Sequence, residues 1–277
     1  MSSKTVDEIV TAIANGESCD RIDASGADLS LQDLYNASLV EATLERANLE
    51  SVGLTNANLQ RANLQGCNLK QADLRGTDLR GADFAGADLT AAYLNRADVR
   101  GANFSNAILD EVALKFCLYD LNTVWPEDCL YKTSGAVGPG AVLNGAYLNT
   151  AYLRGVDLTG IRLLGAYLSG ADLTGANLTD ASLSGANLQR AFFTGACLKN
   201  ARLCNAELQM VDFRGADLEG ADFTDVTNVA GADFTLATGM SDETRARLLG
   251  RQSIEINTWN SYTRSNAKES LQTSSEG

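Results

Sequence analysis

Leu or Phe recurs at every fifth position from Leu29 to Leu114, Val99 excepted, and again from Leu143 to Phe223, with Ala two places earlier in most repeats. A helix repeats every ~3.6 residues and a strand about every two, so a period of five predicts neither; it predicts a repeat solenoid. In the repeat Gly81-Ala82-Asp83-Phe84-Ala85, Ala82 and Phe84 lie two apart on one face of a short extended segment, and both point inward. The residues that follow must turn the chain. The position two after the Leu or Phe is often Gly, as at Gly86 and Gly170, or Asn, as at Asn36 and Asn205. A type II turn needs positive φ there. A turn at each repeat predicts a square coil of four repeats. Phe84 and Phe104 are 20 residues apart, as are Phe193 and Phe213, so each pair is expected to stack inside the coil. Phe234 should continue the second column, past a bulge that absorbs one extra residue after Phe223.

A stack of coils needs caps over its apolar ends. Thr5-Val6-Asp7-Glu8 has the form of a capping box, and Val6, Ile9, Val10 and Ile13 follow at the spacing of one helical face. Ser241-Asp242-Glu243 opens a second short helix, through Leu248 and Leu249 to Gly250. The organisation expected is a capping helix in 1–21, repeats in 22–114, an interrupting loop in 115–140, repeats in 141–239, a second capping helix in 240–253 and a disordered tail in 254–277. Because each coil touches only its neighbours, the two blocks are expected to form one body with an interruption. The interruption holds both prolines, Pro126 and Pro139. It is read as a loop pinned by Trp125 against the side of the coil, with a recognition loop as the functional alternative.

The repeats resemble the pentapeptide-repeat family, whose pattern of Ala, then Asp or Asn, then Leu is met in Ala27-Asp28-Leu29, Ala62-Asn63-Leu64, Ala72-Asp73-Leu74 and Ala176-Asn177-Leu178. The resemblance spans roughly residues 22 to 239. It implies an all-β solenoid, a right-handed quadrilateral β-helix with short helical caps at both ends. The string Tyr119-Asp120, Thr123, Trp125-Pro126-Glu127 is similar to a segment that interrupts the repeats of cyanobacterial members, although Asp128-Cys129 replaces the usual Gly-Phe.

Chemistry-bearing residues add little. With no His in 277 residues, the commonest general base and metal ligand is missing. Asp73, Asp78, Asp83 and Asp88 fall on successive walls, so they make a belt and not a patch. None of the six cysteines forms a C-x-x-C pair, which speaks against a zinc site. Cys67 takes an inward position, Cys197 and Cys204 outward ones. Cys117 and Cys129 bracket Trp125 and could cross-link, though a reducing compartment favours free thiols. No catalytic residue, cofactor or metal is expected, and no enzyme.

The net charge is −13 and concentrates at the two ends of the repeats. Such a surface repels nucleic acid and attracts a basic protein. Family members that confer quinolone resistance imitate duplex DNA and engage DNA gyrase, which makes Glu207, Asp212, Asp217, Asp222 and Asp233 an alternative acidic surface. The balanced charge between residues 70 and 100 argues against a continuous negative stripe. Outward aromatics are rarer: Tyr147 and Tyr167 share a position one coil apart, and Tyr152 and Phe192 share the next wall. With Trp125 they are the candidate partner-binding residues. The function expected is a protein-binding scaffold or regulator, cyanobacterial and non-enzymatic. The alternative is a gyrase-binding DNA mimic. No apolar run spans a membrane and no leader is seen at Met1-Ser2-Ser3-Lys4, so a cytoplasmic location is expected. The oligomeric state stays open, a homodimer included.

Overall fold

A computed structural model describes residues 5–273; the leader reading at residues 1–4 and the end of the tail, 274–277, lie outside it. The described residues form two compact units, divided between Val137 and Gly138. Each is a right-handed, quadrilateral β-helix of five-residue repeats. Within each unit, residue n pairs in parallel with residue n+20 through single bridges, such as Asp83 with Asn103 and Tyr147 with Tyr167. Four repeats therefore make one coil.

The repeat Ala62-Asn63-Leu64-Gln65-Gly66 shows why this sequence folds so. The Ala62 N–H donates to the Leu59 carbonyl, closing the turn at 3.1 Å. Asn63 N–H donates to Ala42 in the coil before, and Leu64 and Gly66 N–H donate to Asp83 and Ala85 in the coil after. One N–H remains, that of Gln65, and the Asn63 side-chain oxygen accepts it at 3.1 Å. The Asp or Asn before each Leu thus completes the backbone satisfaction that a buried coil requires. The Asp residues of the belt act in the same way, since Asp73, Asp78, Asp83 and Asp88 accept from the N–H two residues on.

The third residue of the regular five-residue turns has positive φ and the second does not, as a type II turn demands. That conformation is imposed by the coil and not by residue type. It holds at Gly86 (φ 68°) and Asn36 (φ 56°), but also at Leu31 (φ 61°), Arg61 (φ 54°) and Met210 (φ 59°).

Both expected phenylalanine columns form. Phe84 and Phe104 stack with centroids 4.7 Å apart, Phe193 and Phe213 at 5.2 Å, and Phe234 follows Phe213 at 5.3 Å. Beyond Phe223 the pairing shifts to 21 residues, Glu207 with Asn228 and Asp212 with Asp233, so one residue is bulged out. Helix α1 (Val6–Ala14) carries the expected capping box and buries Ile9, Ala12 and Ile13. Helix α2 (Asp242–Leu249) has Ser241 as N-cap and Gly250 as C-cap.

Two expectations fail. Residues 115–125 are not part of a loop: Leu118 pairs with Asp98 and Val124 with Asn103, so Tyr119 and Trp125 occupy Leu/Phe positions, six residues apart because one is bulged. Trp125 is not against the side of the coil but inside it, stacked on Phe104 at 5.2 Å, with Tyr131 stacked on its other face at 4.9 Å. Tyr119 meets both rings edge-on. Nor are residues 254–273 a disordered tail. Helices α3 (Ser253–Ile256) and α4 (Ala267–Thr273) bury Ile256, Ala267 and Leu271. Polar side chains fasten the segment to the last coils: Asn260 Nδ2 donates to the Gly231 carbonyl at 2.8 Å, Glu255 Oε1 accepts from Val229 N–H at 2.7 Å, and Arg251 donates to the carbonyls of Val226 and Thr227.

Candidate functional site

Residues of one wall come from positions 20 apart, so a surface has to be assembled from distant repeats. On one wall of the second unit the ladder runs Tyr147, Tyr167, Asn187, Glu207. The two tyrosine rings stack at 4.8 Å with an interplanar angle of 3° and remain 72% and 42% exposed. The next wall runs Tyr152, Asp172, Phe192, Asp212, Asp233. Tyr152 is 74% exposed, beside the Arg154–Asp172 ion pair at 3.1 Å. Tyr147, Tyr152 and Tyr167 therefore form one aromatic face around a corner of the coil.

The other two candidates do not belong to this face, although Phe192 continues the wall of Tyr152. Phe192 is half-buried, because Tyr262 of the C-terminal segment packs edge-on against it at 5.4 Å. Trp125 belongs to the first unit, and both faces of its ring are taken by Phe104 and Tyr131.

The acidic set does not make a stripe. Glu207, Asp212, Asp217 and Asp222 fall on four different walls; only Asp212 and Asp233 share one, and each is 1% exposed. Asp212 accepts a forked pair from Arg214, at 2.9 and 2.6 Å. The carboxylates that line the turns are spent on local bonds. The Ser30 hydroxyl and N–H hold the Asp28 carboxyl below its usual range, Arg75 does the same for Asp73, and the Cys204 thiol, with Thr224, for Asp222.

All six cysteines are free. Burial pushes the Cys67 thiol up to about 11 and raises Cys117 further, so neither is a nucleophile at neutral pH. Among the described residues no group of His, Cys, Asp and Glu could hold a metal ion, and no helix is long and apolar enough to cross a membrane.

Summing charge along the chain misses one further feature. Stacking gathers Arg75, Arg96 and Lys115 with Tyr93 and Phe116 on one wall of the first unit, around a hollow of about 620 Å³ at Gly76. The spacing of 20 between Arg75 and Asn95, and between Arg96 and Phe116, is the signal that would have found it.

The chain is similar to solved structures of repeat proteins. HetL of the cyanobacterium Nostoc sp., a pentapeptide repeat protein involved in heterocyst differentiation regulation, is 29% identical over 84% of this chain and 96% of its own, with a TM-score of 0.39. A pentapeptide repeat protein of the cyanobacterium Cyanothece is 28% identical over 44% of this chain and 99% of its own, TM-score 0.36. Full-length QnrB1, a plasmid-mediated fluoroquinolone resistance protein, is 16% identical over 86% of this chain and 91% of its own, TM-score 0.31. No curated protein matches. The family model "Pentapeptide repeats" matches residues 19–50, 54–90, 82–117, 161–200, 186–225 and 196–238, more than half of the chain. The chain belongs to the pentapeptide-repeat family.

Proposed function

We propose that this protein is a non-enzymatic scaffold or regulator that binds a protein partner through the tyrosine face of its second unit. The observation that carries the reading is the parallel stack of Tyr147 and Tyr167, left open on a wall whose regular partners are small or polar, with Tyr152 around the corner. Rigid, exposed tyrosines supply contact area at low entropic cost. Six free thiols suit a reducing compartment, and we take this to be the cytoplasm of a cyanobacterium, the source suggested by the segment from Tyr119 to Glu127.

Gyrase binding by DNA mimicry is the weaker reading. A mimic needs a continuous negative stripe, whereas Glu207, Asp217 and Asp222 face three directions and Asp212 and Asp233 are covered. The purified protein should leave gyrase supercoiling and its quinolone inhibition unchanged. A clear effect, weakened by Asp217→Asn with Asp222→Asn, would favour mimicry instead.

The test of the first reading is Tyr147→Ser combined with Tyr167→Ser. Loss of one anchoring aromatic costs about 2 kcal/mol or more, roughly a 30-fold drop in affinity. Recovery of a partner from the native cell should fall accordingly while circular dichroism stays unchanged; undiminished recovery would move the binding surface away from these tyrosines.

A further inference from the structure

The first unit carries an open sheet edge. In a regular coil, Gly86, Leu89 and Ala91 N–H donate to Ser105, Ile108 and Asp110 of the next coil, and the Ala87 carbonyl accepts from Ile108. One coil later the equivalent groups are Asn106, Leu109 and Glu111 N–H and the Ala107 carbonyl. Among the described residues none of these four has a backbone or side-chain partner. The reason is local. After Val124 pairs with Asn103, Pro126, which has no N–H, takes the chain off the wall. Its carbonyl accepts from Cys129 N–H, and a tight 3-10 turn follows at Tyr131–Thr133. The wall above Leu109 is never built.

What remains is a groove of about 830 Å³ between residues 105–111 and 124–130. Its apolar surface comes from Ile108, Val124 and Leu130, all exposed, and from the half-buried Leu109. Asp110, Glu111, Glu127 and Asp128 stand along it and no cationic side chain lines it. Trp125 adds an indole Nε1 that is buried without an acceptor.

We propose that this edge binds an extended, basic segment of a partner protein, which adds as the missing side of the coil. Three donors and one acceptor spaced as in every complete coil specify a strand, and a long open edge is a known template for strand addition. The inward pattern of the coil specifies its side chains: a small residue above Ala107 and, two places on, a Leu-like residue above Leu109. The four carboxylates specify Lys or Arg between them. This surface is separate from the tyrosine face and does not depend on it.

The probe is a labelled peptide alternating Lys with Ala and Leu, so that Ala and Leu stand two apart. Its control has the same composition with Ala and Leu adjacent. Anisotropy should show binding of the first peptide and weaker binding of the second. Glu127→Gln with Asp128→Asn should weaken it by about fivefold. Amide exchange gives the residue-level answer: Asn106, Leu109 and Glu111 should exchange fast in the free protein and become protected by the peptide, while Leu89 and Ala91 stay protected throughout. Equal binding of the control peptide would overturn the proposal. So would protection of the three amides before peptide is added, which would mean that a second copy of the chain already covers the edge, or their continued fast exchange at saturation.

Discussion

Two aromatic ladders of the molecule follow the same coil repeat, 20 residues with one more where a residue is bulged before Trp125, and do opposite things. Phe84, Phe104 and Trp125 stack inside the first unit, the phenylalanines 0% exposed, at 4.7 and 5.2 Å. Tyr147 and Tyr167 stack outside the second at 4.8 Å, in solvent. The coil geometry brings like positions together wherever they are, so stacking alone says nothing about role. The role follows from the side of the pleat. The inner ladder removes rings from water and stabilises the coil; the outer one leaves rings wet, ordered and available.

The sharpest way to break this contrast is to delete a ring from each ladder. Phe104→Ala should cost about 3–5 kcal/mol in urea denaturation, since it leaves a cavity between two stacked neighbours. A cost below about 1 kcal/mol would mean the ring is not packed as described. Lowering the pH attacks the outward positions together. Asp28, Asp73 and Asp222 have folded-state values held below the unfolded one by hydroxyl, guanidinium and thiol partners, so the native state binds fewer protons. Their contribution is complete above the unfolded carboxylate value of about 3.9 and is lost as pH falls through the lower folded values. Thermal melts should therefore be flat near neutrality and drop steeply below about pH 4.

Much of this was legible in the sequence, because a repeat advertises its period and a column needs only a multiple of it. The Phe84–Phe104 and Phe193–Phe213–Phe234 stacks and the capping box at Thr5 follow from spacing alone. Tyr119 and Trp125 escaped because an aromatic in the Leu/Phe position, with Cys117 or Thr123 in the Ala position and one bulged residue between, does not match the pattern that betrays the others. Residues 251–273 escaped for a different reason. Much of their attachment is polar, through Arg251, Glu255 and Asn260 bonded to backbone, and hydropathy is blind to that. Burial of Asp212, Asp233 and Phe192 escaped with it, so the candidate site shrank to three tyrosines.

Backbone strain offers a smaller test. At Gly86 the left-handed φ is free of strain and an added Cβ would touch nothing within 4 Å, so Gly86→Ala should lose about 1 kcal/mol from conformation alone. At Leu31 the same conformation carries a side chain 79% exposed, and Leu31→Gly should be neutral or gain up to about 1 kcal/mol. Opposite signs in denaturation midpoints would confirm that the coil, not the residue, sets φ. The smallest stability effect is expected at the outer ladder: Tyr147→Ser with Tyr167→Ser should change unfolding by only about 0.5 kcal/mol.

The same double variant provides the most direct test of the central claim, that the outer tyrosines bind a protein. Wild type and variant, equal in circular dichroism and melting, are compared in capture from the native cell, with Leu31→Gly as a surface control in the first unit. The account predicts a protein recovered by wild type and by the control but depleted roughly 30-fold by the variant. Equal recovery by all three would contradict it.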